Sequence, residues 1–191
     1  MKNIFTIPNI ISFFRLLLIP LFVITYFKES ISNHYLWSIV IVFISGISDV
    51  VDGFIARHCN MVSDLGKVLD PIAEKLTQAV ILLCLAINHT SMFLPFSVLF
   101  VKELFTLFAA IHLLSNGTKP ISSKWFGKLS TVVIFLTMVY TLIMDLYSAP
   151  EIPYYILLVL SIVCMIISIT GYFKLFSKHV KGEVPNDEAV Q

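Results

Sequence analysis

Residues 49–75, DVVDGFIARHCNMVSDLGKVLDPIAEK, set five carboxylates, one arginine, two lysines and two glycines between apolar stretches. A charge at mid-bilayer costs about 2.5 to 3.5 kcal/mol even on the lenient insertion scale. Five acids in such surroundings therefore belong at a membrane surface, around cations, or both. On a helix turning about 100° per residue, Asp49, Asp52, Gly53, Ala56 and Arg57 fall within a sector of about 140°. On the next helix Gly66, Asp70 and Glu74 advance by only about 40° per step. A short connection makes the two helices antiparallel neighbours, so Asp49, Asp52, Asp70 and Glu74 converge, with Asp64 left as a cap. Unpaired, these acids would repel one another. Hard divalent cations with oxygen ligands relieve that repulsion, and Mg²⁺ binds through a few carboxylates together with substrate phosphates. Arg57 offers a planar fork suited to phosphate, while Gly53, Ala56 and Gly66 leave room for a ligand or a close helix approach. Metal ions acting on a diphosphate are the chemistry these residue types can do.

The rest of the chain must hold that stretch in a bilayer. Of 191 residues, 58% are hydrophobic and 13% charged, against about a quarter charged in soluble domains. An all-α, polytopic integral membrane protein is expected, with one membrane domain over 1–177 and a polar cytoplasmic tail over 178–191. A net charge of +1 argues neither for nucleic acid nor for an acidic partner, and no nucleic-acid partner is expected. Six apolar segments approach the ~20 residues that cross hydrocarbon: Asn9 to Phe27, Leu36 to Arg57, Asp64 to Ile87, Met92 to Leu114, Phe126 to Tyr147 and Ile152 to Phe176. Pro8 suits a helix start, and Pro71 should kink the third helix beside Asp70. With a cytoplasmic N-terminus, Lys2, Arg57, Lys67, Lys119, Lys124, Lys128, Lys174, Lys178 and Lys181 fall on the cytoplasmic side and Lys28 alone on the other. This bias sets the orientation and puts the acidic stretch and both termini at the cytoplasmic face of the cell membrane. No cleaved leader is expected, and Cys59, Cys84 and Cys164 read as unpaired.

The pattern Asp49-x-x-Asp52-Gly53-x-x-Ala56-Arg57, eight residues, then Gly66-x-x-x-Asp70-x-x-x-acid resembles the signature of the CDP-alcohol phosphatidyltransferases. Pro8-Asn9, Ser12, Arg15 and Pro20 look like the opening of the phosphatidylglycerophosphate synthases within that family, and Trp125-Phe126-Gly127-Lys128 like their lead into the fifth helix. The resemblance implies a six-helix fold, a homodimer, and two divalent ions, Mg²⁺ or Mn²⁺, on Asp49, Asp52, Asp70 and Glu74. It implies CDP-diacylglycerol as phosphatidyl donor, bound by Gly53, Ala56, Arg57 and Gly66, and CMP as leaving group. Glu74 and Asp70 are then the catalytic residues, with Glu74 taking the proton from the acceptor hydroxyl. Lys102 and Lys128 receive the acceptor's anionic group, with Arg15 or Lys124 as further candidates.

Two departures stand out. The last position of the signature is Glu74 where the family carries aspartate, one methylene further out. Lys102-Glu103 and Ala110 stand where the glycerophosphate-using branch has Arg-Glu and a second arginine, and Ser130 replaces a lysine. Glycerol 3-phosphate is the expected acceptor. Phosphatidylglycerol, as in cardiolipin synthases, and a relative disabled at Glu74 are the alternatives. A membrane prenyltransferase would need a second aspartate-rich stretch, and Asp145 and Glu151 map to the opposite membrane face. A transporter would show flux without CMP release. The plainer readings are ion pairing of the acids with Arg57, Lys67 and Lys75, snorkelling of Arg15 and Lys75 to headgroups, and a packed His112.

Overall fold

The computed structural model describes residues 7–58, 66–115 and 124–180, with side chains at 9–49, 51, 69–115 and 124–180. Among these residues the chain is wholly helical: α1 (Ile7–Phe27), α2 (His34–His58), α3 (Gly66–Asn88), a 3₁₀ turn (Thr90–Met92), α4 (Phe93–Ser115), α5 (Trp125–Tyr147) and α6 (Glu151–Val180). The six helices coincide with the six apolar segments of the sequence. Four stretches are long and apolar enough to cross a membrane, namely Asn9–Phe27, Thr90–Ser115, Trp125–Tyr147 and Glu151–Val180. In α2 the apolar part is the shorter His34–Asp49. The difference from six spans has a simple cause: Asp49 to Lys75 puts charge into the facing ends of α2 and α3.

α1 shows how the sequence selects a bilayer. Its buried stripe is Asn9, Ser12, Arg15, Leu18, Phe22 and Tyr26, at helical spacings of three and four. Its outer face is Ile10, Phe13, Leu17, Leu21 and Ile24, all exposed. A water-soluble helix has the reverse arrangement, since each exposed Å² of apolar surface costs about 25 cal/mol in water. In hydrocarbon that outer face is at home, and the polar groups must instead find partners inside the protein. α1 ends in a turn in which Asn33 takes a left-handed φ of 56°, a conformation asparagine tolerates better than most residues. Its carbonyl then accepts the first bond of α2, from Trp37 N at 3.2 Å.

Two compact units divide the chain, Met1–His89 with Met138–Glu151 and Thr90–Thr137 with Ile152–Gln191. α5 contributes its first half to the second unit and its second half to the first. In the first unit α1 packs along both α2 and α3, and Ile41 and Val42 of α2 and Ala73, Leu82 and Leu85 of α3 are buried. Pro71 lies inside α3, where its missing N–H leaves one helical carbonyl without that partner.

In the second unit, small residues let α5 and α6 approach, as lipid-embedded helices require. A Cβ on Gly171 would lie 2.8 Å from the tip of the Phe126 ring, and one on Gly127 would lie 2.6 Å from the Tyr172 hydroxyl. The two rings meet edge to face, centroids 5.0 Å apart. Further along, Thr137 Oγ1 donates to Leu157 O at 3.2 Å. Phe105 and His112 of α4 pack on Phe176 of α6 at 6.1 and 5.6 Å, so His112 is a packed histidine, as expected. Gly171→Ala is expected to cost about 1 to 3 kcal/mol by overpacking, read as a lower thermal midpoint in detergent. Phe126→Leu in the same chain should recover part of it; strictly additive losses would show that ring and glycine do not meet.

Candidate functional site

The polar stripe of α1 delivers Arg15 to the acids. Arg15 is 1% exposed, and its Nη1 donates to Asp49 Oδ1 of α2 at 2.5 Å and to Asp70 Oδ1 of α3 at 3.3 Å. Two carboxylates from two helices thus meet at one nitrogen supplied by a third. The arginine is shut away, whereas the Asp49 and Asp70 side chains are 41% and 43% exposed. The guanidinium therefore stands behind the acids, and their open sides remain reachable. A buried charge persists only when paired, and here the pairing fixes the spacing of the two acids.

Glu74 lies one turn beyond Asp70 on the same helix. Both lie close enough to Asp49 to act on it as repelling charges, with Arg15 opposing them. Glu74 Oε1 accepts from Lys75 Nζ at 3.0 Å, so Lys75 serves as a local counter-charge. Arg15 requires a correction: in place of snorkelling to headgroups it makes a buried bridge to Asp49 and Asp70. Position explains this, because Arg15 follows Asn9 and Ser12 on the inward face.

Asp52, Gly53, Ala56, Arg57 and Gly66 lie in α2 and α3, but their side chains fall outside the described residues, as do Cys59 and Asp64 altogether. Among the described residues no three His, Cys, Asp or Glu side chains stand together as a metal cage. What those residues do offer is of the right chemistry, two half-exposed carboxylates converging from separate helices, which suits a hard divalent cation. Cys84 and Cys164 are buried free thiols.

Lys102 and Lys128 belong to the second unit. Lys102 is buried on α4, its Nζ 3.0 Å from Glu103 Oε1. Lys128 is exposed at the start of α5. Ser130, two residues on, is buried and bonds back to Gly127 O at 2.8 Å.

Sequence reasoning missed a second polar cluster in the first unit, at the far end of α1. His89 Nε2 lies 2.7 Å from Asp145 Oδ1, Tyr26 Oη donates to Asp145 Oδ2 at 3.3 Å, and Asn88 Nδ2 donates to Tyr26 Oη at 3.0 Å. The available signal was an acid near the end of an apolar helix and a histidine at the end of another.

A family model described as CDP-alcohol phosphatidyltransferase matches residues 5–170. The CDP-diacylglycerol–glycerol-3-phosphate 3-phosphatidyltransferase of Aquifex aeolicus is 29% identical over 180 residues, 90% of this chain and 98% of the relative. A cardiolipin synthase (CMP-forming) of Streptomyces coelicolor is 31% identical over 131 residues, 68% of this chain and 61% of the relative. A cardiolipin synthase (CMP-forming)/mitochondrial hydrolase fusion protein of Schizosaccharomyces pombe is 37% identical over 92 residues, 47% of this chain and 14% of that much longer protein.

Proposed function

Because the chain belongs to the CDP-alcohol phosphatidyltransferase family, we propose that it transfers the phosphatidyl group of CDP-diacylglycerol to glycerol 3-phosphate, releasing CMP. It is a transferase of phospholipid synthesis with apolar helices suited to a membrane. One observation supports the site most directly: Asp49 and Asp70, from α2 and α3, meet at the Arg15 guanidinium.

Asp49, Asp52, Asp70 and Glu74 would hold two divalent ions, Mg²⁺ or Mn²⁺, which when bound neutralise charge on the donor diphosphate and the departing CMP. Gly53, Ala56 and Gly66 give the cytidine diphosphate room to lie close to the helices, and Arg57 pairs with its phosphate. Glu74 takes the proton of the acceptor hydroxyl. The hydroxyl oxygen bonds to the phosphatidyl phosphorus as the bond to the CMP oxygen breaks. Lys102 and Lys128 neutralise the acceptor's own phosphate. α2 and α3 complete a six-span domain over 1–177, which works as a homodimer, with its site, its termini and the 178–191 tail at the cytoplasmic face.

A second acceptor has specific support. Lys102 is already engaged by Glu103 and Ser130 is neutral, so few cations are left for a free phosphate; phosphatidylglycerol, as the name of the Streptomyces relative suggests, is the alternative. Purified protein given CDP-diacylglycerol and Mg²⁺ is expected to release CMP with glycerol 3-phosphate and far less with phosphatidylglycerol, serine or inositol phosphate. The reverse ranking would reassign the acceptor, and no CMP with any of them would leave a relative disabled at Glu74.

A further inference from the structure

The fully buried cation behind the acid pair has no part in the chemistry above. Among the described residues Arg15 heads the large side chains that are wholly buried, and α1 packs against both α2 and α3. From that position one Nη1 reaches an oxygen of Asp49 and an oxygen of Asp70. Without a cation there, two acids on neighbouring helices would stand close together unpaired and push the helices apart. Arginine holds its charge under all ordinary conditions, and the two N–H donors of Nη1 can serve both oxygens at once.

Resting on the metal reading above, we propose that Arg15 is a positioning residue, a resident counter-charge that keeps Asp49 and Asp70 facing each other before a divalent cation arrives and limits how tightly that cation is then held. The first effect follows from the two bonds. The second follows from where the charges lie: the carboxylates are reached from their open side, and Arg15 stands behind them as a fixed positive charge. An incoming dication shares Asp49 and Asp70 with the guanidinium and is repelled by it. The apposed acids thus form a ready site, yet one weak enough to exchange ions and release product phosphates. In this role Arg15 acts through the carboxylates it bonds, Asp49 and Asp70 among them.

The test uses full-length protein in detergent with Mn²⁺ as the probe, its binding followed by the loss of the free-ion magnetic resonance signal and by the rise in thermal midpoint. Arg15→Gln is expected to lower the thermal midpoint of the cation-free protein, to regain most of that loss at saturating Mn²⁺, and to bind Mn²⁺ about tenfold more tightly, since a repelling charge has gone. An unchanged affinity together with an equal midpoint deficit with and without Mn²⁺ would mean that Arg15 only braces the helices, which overturns the proposal. If Arg15→Gln yields no folded protein with or without Mn²⁺, Arg15→Lys decides, because it keeps the charge but its shorter stem draws the ammonium back from the two oxygens that Nη1 reaches. A midpoint deficit in Arg15→Lys that closes with Mn²⁺ supports the proposal, and one that does not close overturns it. Asp49→Asn separates the two levels. If the wild-type protein takes up no Mn²⁺, or Asp49→Asn binds it equally well, the metal reading itself has failed.

Discussion

Asp70→Asn is expected to give a folded protein that releases CMP at least about a hundredfold more slowly than wild type. The substitution keeps the shape of the side chain and one oxygen that can still accept from Arg15. The side chain is 43% exposed and Asp49 still pairs the buried Arg15, so removing its charge should cost little stability. Function is another matter, because in the proposed reaction bound cations would stabilise the developing charge on the leaving nucleotide, an effect worth several kcal/mol. Each factor of ten in rate corresponds to about 1.4 kcal/mol, so losing one ligand's share is enough for the expected fall. The measurement is CMP release against Mg²⁺ concentration, with thermal unfolding as the control. A well-folded Asp70→Asn protein with near wild-type turnover would remove Asp70 from the cation-holding set.

At the other end of α1, stability should depend on pH through His89. Its ring lies 2.7 Å from Asp145, and this bond, together with the charge of Asp145, raises the His89 pKa above its ordinary value despite opposing burial. Tyr26 and Asn88 complete the cluster, and Tyr35 packs on Tyr26 with ring centroids 5.9 Å apart, near Glu29. A raised folded-state pKa means that folding favours the protonated ring. The stabilisation is therefore complete below the unfolded value of about 6.5 and is lost as pH rises through the higher folded value. The thermal midpoint of the wild-type protein should fall between about pH 6.5 and the alkaline side of that value. Asp145→Asn should lose about 1.5 to 3 kcal/mol at pH 6, the range of a hydrogen bond to a charged group, and should flatten the profile. Parallel wild-type and Asp145→Asn curves would show that this pair does not tie the ends of α1, α3 and α5 together.

The helices themselves were legible in the sequence. Their ends lie within a few residues of the expected segments, because a run of apolar residues of spanning length has only one way to satisfy its backbone in lipid. The acids at 49, 52, 70 and 74 and their spacing were also legible, and with them the family. Two signals were present but silent. Asn9, Ser12 and Arg15 recur every third residue, which marks an inward face, yet nothing in α1 says what that face meets. Gly127 and Gly171 mark a close approach without naming the ring each one admits.

What folding alone decided is who partners whom. Arg15 joins acids 34 and 55 positions away, and Tyr26 meets an acid 119 positions on. Helix formation in lipid is a local matter of backbone hydrogen bonds and apolar length, so the chain declares it residue by residue. The pairing of buried charges depends on which helix faces turn toward each other, and that is settled only when α1 packs against α2 and α3.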